Sequence, residues 1–361
     1  MGGTPVTRLL GSFSLAGLLL LSSCGGGGGG GGGSSLPSTT FTPPGTVSMP
    51  SITGNDIAVD PSNNVWVVVT SSVLKIPYGT TSCPSLTACP IISVGFTPAG
   101  IASDKFGNIW VTNTSSNEVT EITTTAISNK SCSSSSCPIF SNYFSSPVGI
   151  AADGSGSTST IWVTNETGNS VTEISSTANS CTSSCTTFSN SFSSPVGIVA
   201  DSSGNIWVTN DTSPGSVTEI SSTATSCSSS AACTTYTGFS YPVAVAAPFA
   251  SGSFAWVANS SGGSVVEMDP TQCETQNGCP VIKGFQKPVS LAFDPSGNLW
   301  VLDAGTSQII EITEGAISSA SCQSGACYFY SLPSVPMGVA SDSFGNIWVT
   351  LNNGQIIKFS P

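Results

Sequence analysis

Short apolar runs alternate along most of the chain with breaks rich in Ser, Thr, Asn and Gly, and no stretch sustains a helical period. Runs such as Gly197-Ile198-Val199-Ala200 and Asn205-Ile206-Trp207-Val208-Thr209 carry the β-branched and aromatic residues of strands. Between them, Asp201-Ser202-Ser203-Gly204 reads as a tight turn, because the carboxylate can accept backbone N–H groups and the Gly can take a positive φ. A third run, Ser216-Val217-Thr218-Glu219-Ile220, precedes a loop bounded by cysteines, and a fourth, Thr234 to Phe239, leads through a proline into the next segment.

This unit recurs. The seven tryptophans, Trp66, Trp110, Trp162, Trp207, Trp256, Trp300 and Trp348, each sit in a version of the same phrase, as in SDKFGNIWVTNTSSNEVTEI around Trp110 and SDSFGNIWVTLNNGQIIKF around Trp348. The Trp256 copy is degenerate but in register. Four short strands per copy, with turn signals between them, predict an all-β fold: a seven-bladed β-propeller of four-stranded antiparallel blades over residues 46–361. The recurring Trp is large enough to fill the gap between adjacent sheets. The last copy runs out after its third strand, Gln355-Ile356-Ile357-Lys358-Phe359, whereas the first is preceded by a lone β-like piece, Thr46-Val47-Ser48-Met49, and then Pro50. This N-terminal piece is expected to complete the last blade and so remove an exposed edge.

The cysteines follow the same register. Twelve of the 13 fall into six close pairs, Cys83/Cys89, Cys132/Cys137, Cys181/Cys185, Cys227/Cys233, Cys273/Cys279 and Cys322/Cys327, each between the third and fourth strands of a copy. A ring closed in that connection leaves the seventh blade without a pair. Local disulfides formed in an oxidising compartment are expected, each constraining its short loop by roughly 2 kcal/mol. Thiolate metal sites are the rival reading, but the pairs lie in different blades and no His can join them.

Cys24 is left without a partner. Residues 1–23 place one positive charge before an apolar stretch too short to span a bilayer comfortably, and Leu21-Ser22-Ser23-Cys24 resembles a bacterial lipobox. That resemblance implies a lipoprotein signal peptide with a diacylglyceryl group on Cys24; an ordinary secretory signal is the alternative. Residues 24–45, with a glycine run and then a Ser/Thr/Pro-rich stretch, read as a flexible tether. Gly25 after the lipidated Cys resembles lipoproteins sent to an outer membrane. The expected location is therefore the bacterial cell envelope, outside the cytoplasm, with the outer membrane favoured.

Composition narrows the chemistry. Of 361 residues only 7% are charged, the net charge is −12, there is no His, and the single arginine, Arg8, lies in the segment expected to be removed. A chain without guanidinium groups and this acidic argues against nucleic acid or anionic lipid headgroups as partners. It also lacks the commonest general base and metal ligand. With few ion pairs to lose and no histidine to protonate, the protein is expected to tolerate low pH.

The phrase built from Asp, Gly-Asn, Ile-Trp-Val and a later Val-x-Glu-Ile resembles the NHL-type repeat, and also the propellers of streptogramin (virginiamycin B) lyases and of gluconolactonase-like proteins. The resemblance implies architecture more than chemistry. The lyases use a His general acid/base and a divalent cation, and no His exists here to carry that role. Gluconolactonase-like propellers hold a metal in the central channel with Glu, Asn and Asp, but no ligand set of this chain maps onto such a motif.

In a propeller the loops between second and third strands and the links between blades share one rim. There, three residues after the Trp, lie Asn113, Asn165, Asn210, Asn259 and Asp303, with Asp56, Glu118, Glu166 and Asp211 nearby. These side chains either close their own turns or form a polar, mildly acidic ring around a channel mouth suited to a cation, sugar or peptide. The four asparagines also form Asn-x-Ser/Thr sequons, which read as by-products of the repeat in a bacterial lipoprotein. The turn acids Asp60, Asp104, Asp153, Asp201, Asp294 and Asp342 recur blade by blade. So do the third-strand acids Glu121, Glu173, Glu219, Glu267 and Glu311, with Lys75 and Lys358 in the remaining blades. A catalytic residue should break the repeat, and neither set does. The expected function is therefore a lipid-anchored ligand- or protein-binding or scaffold module. Its expected partners are the membrane, through the anchor, and a small molecule, glycan or protein on the propeller face, but not nucleic acid. No cofactor is expected. The alternative is a metal-dependent lactonase- or lyase-like enzyme with a divalent cation in the channel.

Overall fold

The computed structural model describes residues 38–41 and 56–360, apart from loop positions 84, 86, 96, 156, 158, 176, 182–183, 249–253, 271–272, 274–278 and 320–325. Seven antiparallel sheets of four strands each form the blades of a propeller. Numbered from the N-terminus, the blades have as innermost strands Ile57–Val59, Pro98–Ser103, Pro147–Asp153, Pro195–Ala200, Pro242–Ala246, Pro288–Phe293 and Pro336–Ser341. In blades one to six the four strands are consecutive in sequence.

Blade seven takes its first three strands from the end of the chain and its outermost from the beginning. Ser38–Phe41 pairs antiparallel with Ile356–Phe359, in the register Ser38↔Phe359, Thr39↔Lys358, Thr40↔Ile357 and Phe41↔Ile356. The ring is thus closed by an N-terminal strand, as expected, but not by Thr46–Met49. That piece lies outside the described residues, and the closing strand comes from the stretch read as tether. The reason is in the repeat. Ser38-Thr39-Thr40-Phe41 is the fourth-strand phrase of Cys185-Thr186-Thr187-Phe188 and Cys233-Thr234-Thr235-Tyr236 with Ser in place of Cys. It also takes their register, Thr39 facing Lys358 as Thr186 faces Glu173.

Each junction between blades holds its own apolar cluster, and the tryptophans sit at these junctions. Trp66 packs with Ile101, Ile109 and Val111 of blade two. Trp348 packs with Val65, Leu74 and Ile76 of blade one, which closes the circle. The indoles are pinned by the turn acids. Asp60, Asp104, Asp201, Asp294 and Asp342 each accept the Nε1–H of the Trp six residues on, at 2.9–3.2 Å. The other carboxylate oxygen takes backbone N–H groups of the turn, as Asp201 does from Ser203 (2.8 Å) and Asn205 (2.9 Å). A buried indole and a buried carboxylate thereby satisfy one another.

Two short helices, Thr124–Asn129 and Glu314–Ser319, occupy loops between third and fourth strands, where the sequence showed no helical period. Thr123 caps the first by accepting the N–H of Ala126. Five of the expected disulfides are formed within their own loops: Cys83–Cys89, Cys132–Cys137, Cys181–Cys185, Cys227–Cys233 and Cys273–Cys279. Cys327 is also disulfide-bonded, and Cys322, its expected partner, lies outside the described residues, as does Cys24.

Candidate functional site

The rim residues are mostly consumed in closing the propeller. Asn165 is buried, accepts the N–H of Ser145 (3.2 Å) from the link entering its blade, and donates to Thr172 Oγ1 (2.9 Å). Asn210 does the same with Ser193 (3.1 Å) and Thr218 (3.1 Å). Asn259 accepts from Ser240 (2.8 Å), and Asp303 accepts from Gln286 and Lys287 (2.8 Å each). Asn113 donates to Thr120 Oγ1 (2.9 Å), and its carbonyl oxygen has no partner among the described residues. Four of these side chains fix the links between blades, the buried Asn113 bonds within its own blade, and together they do not line an open ring. As buried, bonded amides, the sequon asparagines are not presented as glycan acceptors in the folded state.

Glu118, Glu166 and Asp211 are half-buried. The structure brings Glu166 and Asp211 near each other across blades three and four: burial, and then the Glu166 charge, raise the Asp211 carboxyl. The third-strand acids face the tryptophans across the sheet, as Glu121 faces Trp110 and Glu311 faces Trp300. Burial pushes Glu121 up to about 7, with the Asp104 charge adding to it. Burial also raises Glu173, Glu219, Glu267 and Glu311. Where lysine replaces glutamate, its ammonium lies over the indole instead, Lys75 at 5.2 Å from the Trp66 ring centre and Lys358 at 5.4 Å from that of Trp348.

Asp56 is placed apart from the other rim residues, in the central channel. The innermost strands enclose about 370 Å³ there, with walls of Ala99, Val148, Val196, Val243, Val289 and Met337. Among the described residues Asp56 is the single ionisable one of the lining, and it occupies a special position of the repeat. In the other blades that position holds Gly100, Gly149, Gly197, Ala244, Ser290 and Gly338. The glycines have a steric cause. A Cβ on Gly149 would sit 2.0 Å from the Val196 carbonyl oxygen of the next blade, and one on Gly100 would sit 2.3 Å from that of Val148.

The close approach is held by threonine. Thr112 Oγ1 accepts the N–H of Gly100 (2.8 Å) and donates to the Val148 carbonyl (2.8 Å). Blade one has Val68 where blades two, three, four and seven carry that threonine. Asp56 makes the link instead, accepting the N–H of Ile57 (3.0 Å) and, across the junction, that of Ile101 (3.1 Å). Burial raises its carboxyl to about 6 against the pull of those two N–H groups. The sequence carried the signal in the column headed by Gly100 and Gly149, where Asp56 is the lone acid; grouping it with the rim hid it.

A divalent cation, which the resemblance to lyases and gluconolactonase-like propellers implies, does not fit this lining. Hard cations take six or more oxygen ligands, and the channel side chains supply one carboxylate and the Ser290 hydroxyl among alkyl groups. Among the described residues no three Asp, Glu, Cys or His side chains gather as a metal site.

Solved structures share the architecture. Virginiamycin B lyase from Staphylococcus aureus aligns over 91% of this chain and 100% of its own, at 16% identity and a TM-score of 0.67. A chain of the Mitotic Checkpoint Complex aligns over 98% of this chain and 99% of its own, at 10% identity and 0.69. The WD40 β-propeller domain of Doa1 aligns over 86% and 95%, at 10% identity and 0.62. At these identities the likeness is one of fold. No protein-family model matches the sequence, and no curated protein does.

Proposed function

We propose that this protein is a lipid-anchored binding propeller of the bacterial cell envelope, held outside the cytoplasm through Cys24, with the outer membrane favoured, and that it takes a small ligand in its central channel. The lipobox-like Leu21-Ser22-Ser23-Cys24 and the glycine run behind it support the anchoring. The cysteine spacing fits it too: ten cysteines pair within their own loops, and Cys322 stands five residues before Cys327 as the local partner in the repeat. With the first strand at Ser38, the tether is the stretch from Gly25 to Pro37. Fatty-acid labelling of whole cells checks this part. A Cys24→Ser variant is expected to lose the label and leave the membrane fraction, and continued labelling would overturn the anchor.

Asp56 carries the channel reading. It is the one place where the repeat gives up glycine for a charged group, and the carboxylate stands among alkyl walls in a space of ligand size. Mass spectrometry of small molecules released from the purified protein tests it. The wild type is expected to carry a molecule that Asp56→Asn loses while it keeps the wild-type circular dichroism spectrum. An empty channel in both, with no stabilisation by any member of a metabolite library, would overturn the reading.

The same carboxylate favours a second reading. A carboxyl that burial raises in an apolar channel has the properties of a general base. Turnover of a lactone or lyase substrate, lost in Asp56→Asn, would decide for that enzyme.

A further inference from the structure

We propose that the junction of blades six and seven is a saccharide site, in which a neutral pyranose stacks on Phe344 and hydrogen-bonds to Glu311. This site is separate from the channel and stands or falls without it. A cavity of about 340 Å³ opens there on the face of the Asp-x-x-Gly turns, lined by Phe344, Glu311, Asn298, Ser296 and Ser343 among others.

Phe344 is 55% exposed, and Tyr78, 57% exposed, stacks on it at 5.1 Å with the ring planes 19° apart. Tyr78 is absent from the cavity lining, so it backs the phenyl ring and holds it as a wall. The loop bearing Tyr78 is itself fixed, its N–H bonded to Asn64 Oδ1 at 3.1 Å. Two large rings standing in solvent and bracing each other are costly unless something covers the open face.

The opposite side of the cavity is polar and pre-set. Asp294 is fully engaged, by the N–H groups of Ser296 and Asn298, by the Asn298 amide and by Trp300 Nε1 (2.9–3.0 Å), so it stiffens the floor. Glu311 Oε2 accepts the Tyr330 hydroxyl at 3.0 Å, which leaves the second oxygen for a ligand.

The repeat shows that this combination is particular. Each junction sets a third-strand acid or lysine of one blade near the turn of the next. Phenylalanine occupies the third turn position only as Phe106 and Phe344, and Phe106 meets a junction whose third-strand residue is Lys75. Blades six and seven alone join a turn phenylalanine to a glutamate. An apolar ring beside a carboxylate, an amide and serine hydroxyls, with no cation among the described lining residues, fits a ligand with a C–H face and a belt of hydroxyl groups. It does not fit a phosphate or a carboxylate.

Saturation-transfer NMR on the full-length protein, held in a detergent without a sugar headgroup, tests the site with glucose, galactose, mannose and their disaccharides as probes. Transfer from the C–H protons of at least one sugar is expected. Phe344→Ala is expected to weaken it at least tenfold and Glu311→Gln several-fold, and Phe106→Ala to leave it unchanged, all with the wild-type circular dichroism spectrum. No transfer from any sugar, equal binding by Phe344→Ala, or equal loss in Phe106→Ala would overturn the proposal. None of these outcomes bears on Asp56, so the two readings fail separately.

Discussion

At the scale of single residues, the fold rests on a few side chains used repeatedly. The turn acid that holds a buried indole is one. Asp201→Ala would leave Trp207 Nε1 buried without an acceptor and release two backbone N–H groups of the turn. We expect a loss of roughly 1–3 kcal/mol in denaturant unfolding. The protein contains its own comparison, since Trp162 and Trp256 have no acceptor for Nε1 among the described residues. In blade three Asp153 binds the N–H of Ser155 instead, and in blade five no turn acid exists. The glycine at the bulge of the innermost strand, where the register shifts between Pro147 and Ile150, is the second such residue. Gly149→Ala drives a methyl group against the Val196 carbonyl at 2.0 Å, backbone that cannot swing aside, and we expect about 1–3 kcal/mol of destabilisation by thermal melting. The Asp role was partly legible, because an Asp three residues ahead of a turn Gly is turn chemistry. The indole bond was not, since it depends on how the turn folds over the next strand. The bulge glycines were equally hidden. Their cause is the neighbouring blade, and no local pattern records the distance to it.

At the scale of elements, the blade is a hairpin meander whose last strand is stapled and whose ring is sealed by one strand from the opposite terminus. The tryptophan period and the cysteine pairs made the count of blades and the place of the seam legible. Which strand seals it was missed because Ser38-Thr39-Thr40-Phe41 was read by composition, inside a Ser/Thr/Pro-rich stretch. Read by phrase, it is a fourth strand lacking only the cysteine. Deleting residues 38–41 should bare the backbone edge of Ile356–Phe359, lower the melting temperature by several degrees and promote association, whereas deleting 46–49 should do neither. Equal effects of the two deletions in calorimetry would contradict the assigned seam. Reduction of the staples is expected to be gradual. Each loop spans only a few residues, so a Cys181→Ala/Cys185→Ala pair should cost no more than roughly 2 kcal/mol in urea titrations.

At the scale of the whole molecule, the acids on one strand of five blades act together on stability. Glu121, Glu173, Glu219, Glu267 and Glu311 are all shifted upward by burial, as are Asp56 and Asp211. A carboxyl whose folded value lies above its unfolded one binds its proton more tightly in the folded state. Its contribution to stability is fully present below the unfolded value and is lost as pH rises through the folded one. For Glu121 that window runs from 4.5 to about 7, and for Asp56 from 3.8 to about 6. Acidification from neutrality to about pH 4.5 should therefore raise the melting temperature, which goes further than the tolerance of acid expected from composition alone. The half-exposed members contribute less than their shifts suggest, because solvent screens them, so the slope should come mainly from Glu121 and Asp56. Glu121→Gln isolates the first. It keeps the shape beside Trp110 and removes the titration, so its melting curve should depend visibly less on pH between 4.5 and 7 than that of the wild type. A wild-type melting temperature that falls steadily from pH 7 to 4.5 would show that other groups dominate, and that the buried carboxyls do not set the acid behaviour of the ring.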